Sequence, residues 1–468
     1  MMESETLAAV FGGANEEAAP LLPPQAKTVR DTGLEQPMLV ELLGKTLFIA
    51  GRSPLPALAT RLRLSLNVLR ELLDFLVAEQ LAEVAWRGDS DIDVQYQLTG
   101  AGRQRAAAWL ERCRYAGPAP VTLEAYCAVL QRQAGLLAAI TADDMAEVFA
   151  GDCLPASVHA LAGAALHSGR SIFLYGPPGS GKSTLARKLG GLLQGVVAVP
   201  YALALGQEIV QIYDPLLHLP PAGAAGRQPL ERRHGDSRWV LCRRPVVQAG
   251  AELAADMLDL RYDAYSGCYQ APPHLKANNG LFIIDDLGRQ RVRPADLLNR
   301  FAQPLDARRD QLTLQGGHQF SLPFDAVLVF ATSLAPHALL DSAALRRVAY
   351  KIAVGAIGED AYRALFRQHC AAADIAPDEA MLGYLIAELH GGSGEPLLAC
   401  YPREVVSRLV DFAGFTGAAP RLTRAALEQA WSSMFAAVDE DSAAAALSSG
   451  PVLHNCEAAD ASLYESIK

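Results

Sequence analysis

Residues 171–184 read SIFLYGPPGSGKST, and this stretch decides the fold that the rest of the chain must complete. Its apolar start predicts a buried strand, and the glycine-rich run matches the pattern G-x-x-x-x-G-K-[ST] without a mismatch. In such a loop the backbone N–H groups point at one centre, where a helix begins and adds the positive end of its dipole. The sequence therefore predicts a phosphate-binding loop of these residues: Gly176, Pro177, Pro178, Gly179, Ser180, Gly181, Lys182, Ser183 and Thr184.

Two side chains of this loop can carry chemistry. Lys182 can reach the β- and γ-phosphates of a nucleotide, and the Ser183 hydroxyl can join the coordination shell of Mg²⁺. A chance glycine-rich turn is the alternative, but the strand before the loop and the helix after it favour the functional interpretation. We therefore expect ATP and Mg²⁺ as ligands.

A second apolar stretch, residues 280–284, ends in the acids Asp285 and Asp286. Its uninterrupted apolar character predicts a parallel strand buried on both faces. Open α/β sheets place their ligands at the carboxyl ends of such strands. We expect Asp285 to hold Mg²⁺, directly or through water, and Asp286 to act as general base toward the attacking water.

Three further positions complete the predicted site. A third buried strand, 326–331, is followed by Thr332 and Ser333, either of which can hydrogen-bond the attacking water or the γ-phosphate. Arg346 and Arg347 then follow, and an arginine here can cross a subunit boundary to neutralise charge on a neighbour's γ-phosphate. The alternative is an ordinary surface or salt-bridged arginine. Farther along, Arg403 lies near the start of a helix and can reach back to the nucleotide.

Composition narrows the class of protein. The chain has 468 residues and a formal net charge of −10, so no global basic field favours nucleic acid. Its eight cysteines are scattered without a C-x-x-C, which is typical of reduced thiols in a cytoplasmic protein. The acidic N-terminus does not resemble a signal peptide, and no apolar run reaches membrane-spanning length. We expect a cytoplasmic protein without membrane insertion.

The pattern along the chain predicts six segments. They are a flexible arm at 1–34, a winged-helix-like domain at 35–115, a linker with helices at 116–155, a nucleotide-binding core at 156–356 with an insertion at 217–279, a helical lid at 357–438 and a disordered tail at 439–468.

The segment 35–115 has two interpretations. Helical patterns at 38–50, 56–64 and 66–80, two alternating stretches at 81–86 and 92–98 and a closing helix at 101–113 predict a winged helix-turn-helix. The functional interpretation places helix 66–80 in a DNA major groove. That helix carries Glu71, Asp74 and Glu79 against the single Arg70, which weakens contact with phosphates and favours a protein-docking or regulatory role.

Taken together, residues 159–438 resemble the AAA+ ATPases. The resemblance rests on the phosphate loop, the acid-ended strand, the polar sensor at Ser333, the arginine pair and the helical lid with Arg403. The stretches 277–290 and 330–336 are similar to a bacterial AAA+ group of predicted ATPases. The resemblance implies an α/β fold, with a P-loop parallel-sheet AAA+ core, a helical lid and the N-terminal winged-helix-like α+β domain. It also implies ATP hydrolysis in a homo-oligomeric ring, often a hexamer, that acts as a motor or chaperone-like remodeller.

Two residues depart from the AAA+ pattern. The second acid is usually Glu and here is Asp286, and the sensor is usually Asn and here is Ser333. A shorter carboxylate at Asp286 predicts slow turnover, since a base must lie within hydrogen-bond reach of its water. Three hypotheses therefore stand: an ATP-driven remodeller of a protein partner, a DNA-acting loader or transposition helper, and a slow nucleotide-dependent switch.

Overall fold

The structure, a computed structural model, describes residues 22–89, 93–134, 140–221 and 235–435. The chain divides into two compact units, between Ile357 and Gly358. The predicted disordered tail at 439–468 lies outside the described residues. None of the described helices is long and apolar enough to cross a membrane.

A five-stranded, fully parallel sheet forms the centre of the first unit. Its strands stand in the order β10-β13-β16-β5-β17. They are β5 (Ile172–Tyr175), β10 (Val246–Ala249), β13 (Leu281–Ile284), β16 (Val327–Thr332) and β17 (Tyr350–Ala353). Strands β13 and β16 are buried along their whole length, as their unbroken apolar sequences require in a sheet covered on both faces.

Helices connect these strands and cover the sheet. The connecting helices of this part are α6 (Ala142–Val148), α7 (Ala156–His167), α8 (Lys182–Gly191), α9 (Pro273–Lys276), α10 (Pro294–Arg300), α11 (Ala302–Ala307), α12 (Pro336–Leu339) and α13 (Ser342–Arg347), with a 3₁₀ turn at Ala255–Leu258. Because all five strands are parallel, their carboxyl ends meet at one edge, where the phosphate loop, Asp285 and Ser333 follow β5, β13 and β16. This sheet and loop confirm the predicted α/β fold with a P-loop parallel-sheet core.

The N-terminal part of the first unit combines helices with a small antiparallel sheet. A three-stranded antiparallel sheet, β1-β3-β2, packs against four helices. The elements are α1 (Gln36–Ala50), β1 (Ser53–Pro54), α2 (Leu55–Leu62), α3 (Leu66–Ala78), β2 (Ala82–Arg87), β3 (Val94–Leu98) and α4 (Gly100–Arg112). Helix α3 buries Leu69, Leu72, Leu73 and Leu76 on one face, the spacing that predicted it.

Part of the predicted insertion belongs to the core. Strand β10 lies inside the segment 217–279 and yet is an edge strand of the central sheet. The first unit also contains a mixed sheet, β11-β12-β8-β7-β4, and the strand pairs β6-β9 and β14-β15. These strands are β4 (Val121–Thr122), β6 (Val196–Pro200), β7 (Ala202–Leu205), β8 (Glu208–Gln211), β9 (Trp239–Arg243), β11 (Arg261–Asp263), β12 (Cys268–Gln270), β14 (Arg309–Thr313) and β15 (Gln319–Pro323), and helix α5 (Leu123–Ala134) follows β4.

Residues 22–34 of the predicted flexible arm are packed rather than free, because Ala26 and Val29 are buried in the N-terminal core. A 3₁₀ turn at Arg30–Thr32 follows. The buried guanidinium of Arg238 joins this segment to the rest of the unit: Nη1 donates to the Thr32 carbonyl at 3.1 Å and to the Pro120 carbonyl at 3.0 Å. Its other nitrogens pair with the buried carboxylate of Asp236.

The second unit is helical. It contains α14 (Glu359–Ala372), α15 (Glu379–Tyr384), a π-helical turn (Leu385–His390), α16 (Gly391–Ser393), α17 (Cys400–Thr416) and α18 (Arg424–Ser432). His390 lies at the centre, where Nδ1 donates to the Glu395 carbonyl at 3.0 Å and Nε2 accepts from the Tyr362 hydroxyl at 2.8 Å. The aromatic rings of Tyr401 and Trp431 pack against it.

Candidate functional site

The phosphate loop connects β5 to α8 in a conformation that needs glycine. Gly176 has φ +146°, and a Cβ there would lie 2.0 Å from the carbonyl oxygen of Val354 on the neighbouring strand segment. Gly181 has φ +99° and caps the helix that begins at Lys182. Only a residue without a side chain fits both positions without strain. The loop therefore holds a concave backbone directly before a helix N-terminus, which is the geometry that binds phosphate.

Lys182 is held at the centre of the loop. Its ammonium donates to the carbonyl oxygens of Gly176 at 2.9 Å and Pro177 at 2.7 Å, and lies 3.4 Å from the Ser180 hydroxyl. Burial lowers the pKa of Lys182, and the carboxylates of Asp286 and then Asp285 oppose that shift. The cation and the two acids thus belong to one electrostatic site, although they are about a hundred residues apart in the chain.

Ser183 and Asp285 are in direct contact. The Ser183 hydroxyl donates to Oδ1 of Asp285 at 2.8 Å. The other carboxylate oxygen accepts a hydrogen bond from Nε2 of Gln248, on the neighbouring strand β10, at 3.0 Å. A hydroxyl and a carboxylate side by side are the protein ligands that Mg²⁺ takes when a nucleotide supplies the remaining oxygens. Among the described residues, no group of three or more His, Cys, Asp or Glu could hold a metal ion.

Asp286 has an unusual backbone conformation. Its φ is +51°, in the left-handed region, and its side chain is exposed. Aspartate and asparagine enter this region several-fold more readily than other residues with a side chain. The conformation gives a physical reason for the departure from glutamate, since the longer residue is less suited to a left-handed turn.

The polar residues after β16 divide into two roles. Thr332 is buried and structural: its hydroxyl donates to the Leu287 carbonyl at 2.7 Å, in the turn that follows the two acids. Ser333 is half-buried at the end of β16. Because β16 lies between β5 and β13, the structure places Ser333 between the phosphate loop and the acid pair. Of the two candidate residues, Ser333 is therefore the one whose hydroxyl remains for the site.

The predicted arginines do not all join this cluster. Arg347 pairs with Asp306 of the same chain at 3.5 Å, the ordinary salt-bridge alternative. Arg346 is exposed on α13. Arg403 is exposed in the first turn of α17, in the second compact unit.

Two glutamines at the site were missed from the sequence. The sequence places Gln248 within the predicted insertion 217–279 rather than in the central sheet, so its position beside Asp285 is not predicted. Gln290 ends the stretch 277–290 that carries the family resemblance, but the sequence pattern predicts no role for it. Its amide nitrogen donates to the carbonyl of Asp285 at 2.7 Å and to that of Asp286 at 3.2 Å. The signal that could have found Gln290 is its position four residues after an acid at a strand end.

The chain is similar to one protein family over part of its length and to several solved structures at low sequence identity. A protein-family model described as "Domain of unknown function (DUF8689)" matches residues 358–433. No curated protein matches the chain. Among solved structures, NtrX from Brucella abortus in complex with ATP is 15% identical, with 62% of this chain and 58% of that chain covered, at a TM-score of 0.37. The RuvB Holliday junction branch migration motor of Thermotoga maritima is 13% identical, with 63% and 70% covered, at a TM-score of 0.33.

The chain spans less than two thirds of the NtrX chain that it matches.

Proposed function

We propose that this chain binds ATP with Mg²⁺ at the edge of the parallel sheet and hydrolyses it to drive the remodelling of a protein partner. The observation that carries the proposal is the 2.8 Å hydrogen bond between Ser183 and Asp285, because it joins the phosphate loop to the acid-ended strand. A loop with Gly176 and Gly181 in glycine-only conformations and a lysine at its centre supports phosphate as the ligand.

Each residue of the cluster has a role in the hydrolysis. The loop N–H groups and Lys182 would bind the β- and γ-phosphates, and a phosphate oxygen would replace the loop carbonyls as the partner of the ammonium. Mg²⁺ held by Ser183 and Asp285 would neutralise negative charge on these phosphates. Asp286 would accept a proton as water attacks the γ-phosphorus and the bond to the bridging oxygen breaks, giving ADP and inorganic phosphate. Ser333 would orient that water.

A second copy of the chain completes the proposed site. Arg346 is exposed and Arg347 is paired within its own chain, so Arg346 is the better candidate to reach a neighbour's γ-phosphate. Its guanidinium would stabilise the charge that develops there in the transition state. We assign Arg403 the role of the lid sensor only through the family resemblance. The proposed active form is therefore a homo-oligomer.

A protein partner is favoured over DNA by how helix α3 is packed. In a helix-turn-helix the N-terminal residues of the second helix contact base edges. Near that end, the Ser65 hydroxyl donates to the Ala26 carbonyl at 2.7 Å, and the Ser237 hydroxyl donates to the Arg63 carbonyl at 2.9 Å. Glu71, one turn farther, accepts the Val29 N–H at 2.9 Å. The exposed Glu71 and Asp74 add negative charge to this helix, which disfavours contact with phosphates.

The proposal is tested by ATP turnover of the parent chain and of Lys182→Ala, each with and without Mg²⁺. We expect Mg²⁺-dependent release of phosphate by the parent and its loss in Lys182→Ala. Lys351→Ala is the matched control, because Lys351 is exposed on the edge strand β17 of the same sheet. Normal turnover by Lys182→Ala would overturn the proposal. Salt-dependent binding of duplex DNA by the full chain would instead favour the DNA-acting alternative.

A further inference from the structure

Gln290 lies in the turn after β13 and forms hydrogen bonds to the backbone of Asp285 and Asp286. Besides its hydrogen bonds to the carbonyls of Asp285 and Asp286, its Nε2 lies 3.4 Å from the carbonyl oxygen of Gly250, just beyond β10. Its Oε1 accepts the N–H of Gly288 at 2.9 Å. One half-buried side chain therefore links the end of the acid-bearing strand, the turn that follows it and the end of the neighbouring strand.

This turn holds Asp286 in a conformation that it does not favour. A non-glycine residue in the left-handed region persists only where its surroundings determine it. The carbonyl of Asp286 accepts from the Gln290 amide and from the backbone N–H of Arg289 at 2.9 Å. These two bonds fix the peptide plane on one side of Asp286, and the Asp285 carbonyl bond fixes the plane on the other. The direction of the Asp286 Cα–Cβ bond follows from these two planes.

We propose that Gln290 is a positioning residue for hydrolysis, which acts by holding Asp286 so that its carboxylate points toward the attacking water. This inference rests on the proposed function. Among the described residues, the hydrogen bonds of the Gln290 side chain go to backbone groups of the turn and of Gly250, and none goes to the phosphate loop. Its effect is therefore on the chemical step and not on nucleotide binding.

The first test replaces the amide without changing the length of the side chain. Gln290→Met removes the donor, and Gln290→Glu keeps the size but presents an acceptor to the same carbonyls. We expect kcat to fall about 10- to 100-fold in both, because a displaced catalytic group loses that much rate. KM and the equilibrium affinity for ATP should stay at the parental values. Gln311→Met is the control, since the amide of Gln311 pairs with Gln319 on an exposed hairpin.

A purely structural role predicts a different result. It would lower the unfolding midpoint of Gln290→Met and Gln290→Glu while leaving kcat unchanged, or it would weaken ATP binding together with kcat. Either outcome overturns the inference.

The second test combines the change with Asp286→Asn. If Gln290 acts through Asp286, then Gln290→Met should cause no further loss of rate in the Asp286→Asn chain. An additional loss by the same factor would show that Gln290 acts independently, and would overturn the inference while the proposed function stands. If Asp286→Asn alone keeps the parental rate, Asp286 is not the base, and both the assignment and this inference fall.

Discussion

Replacing the proposed general base, Asp286, by its amide tests the proposed hydrolysis most specifically. Asp286→Asn keeps the shape of the side chain and suits the left-handed backbone as well as aspartate does, so the fold should not change. It removes the proton acceptor, which contributes about 10²- to 10⁴-fold to a hydrolysis of this kind. That factor corresponds to about 3–5 kcal/mol of transition-state stabilisation. ATP binding should persist, because Asp286 is exposed beside the loop rather than part of it.

The assay is single-turnover release of phosphate, with ATP affinity measured in parallel. Asp374→Asn is the matched control, since Asp374 is another exposed aspartate with a left-handed φ, of +54°, and lies in the second unit. We expect the control to hydrolyse ATP normally, and Asp286→Asn to bind ATP but turn it over about 10²- to 10⁴-fold more slowly than the parent. Parental turnover by Asp286→Asn would refute the assignment of the base. If Asp286→Glu is faster than the parent, the shorter carboxylate limits the rate, as the sequence predicts.

Three further predictions follow from contacts elsewhere. Arg346→Ala should reduce hydrolysis in the oligomer about 10³-fold or more, and Arg347→Ala much less because Arg347 is paired with Asp306; equal effects on turnover would contradict this. Gly176→Ala should cost about 2–6 kcal/mol of unfolding free energy, because its Cβ would overlap the Val354 carbonyl. The control Gly191→Ala has open space around its Cβ and should not lose stability, and equal unfolding free energies of the two variants in chemical denaturation would contradict the prediction. Burial lowers the pKa of three histidines, His218, His274 and His390, below 6.5, so the folded chain favours their neutral form. The unfolding free energy should therefore fall as the pH drops below 6.5 toward these lowered pKa values, by up to about 1.4 kcal/mol per pH unit for each histidine. Chemical denaturation at about pH 7.5 and pH 5.5 would measure this loss, and equal stability at both would contradict it.

The parts of the site that the sequence predicts are those encoded locally. The phosphate loop needs glycines and a lysine at fixed spacing, and a strand buried on both faces reads as an unbroken apolar run. Parallel pairing then brings the ends of such strands together, which is why the contact of Ser183 with Asp285 follows from two separate stretches. The sequence did not reveal that Asp286 is left-handed, because that depends on the hydrogen bonds of the turn.

The features that the sequence does not predict depend on contacts between segments far apart in the chain. Strand β10 is short and carries the polar Gln248, so its pattern does not distinguish an edge strand of the central sheet from a hairpin in an insertion. The predicted arm at 1–34 is rich in Ala, Glu and Pro and reads as flexible, yet the buried guanidinium of Arg238 donates to the Thr32 carbonyl from more than two hundred residues away. Neither partner carries a local signal for the other.

The dependence of ATP affinity on Mg²⁺ tests the central claim most directly. The measurement compares the dissociation constant of ATP with and without Mg²⁺ for the parent chain and for Asp285→Asn, which can still accept the Ser183 hydroxyl. We predict that Mg²⁺ tightens binding to the parent and that Asp285→Asn loses most of this effect while it remains folded. If the parent binds ATP equally well without Mg²⁺, or if Asp285→Asn retains the full effect, then Ser183 and Asp285 do not form the metal site.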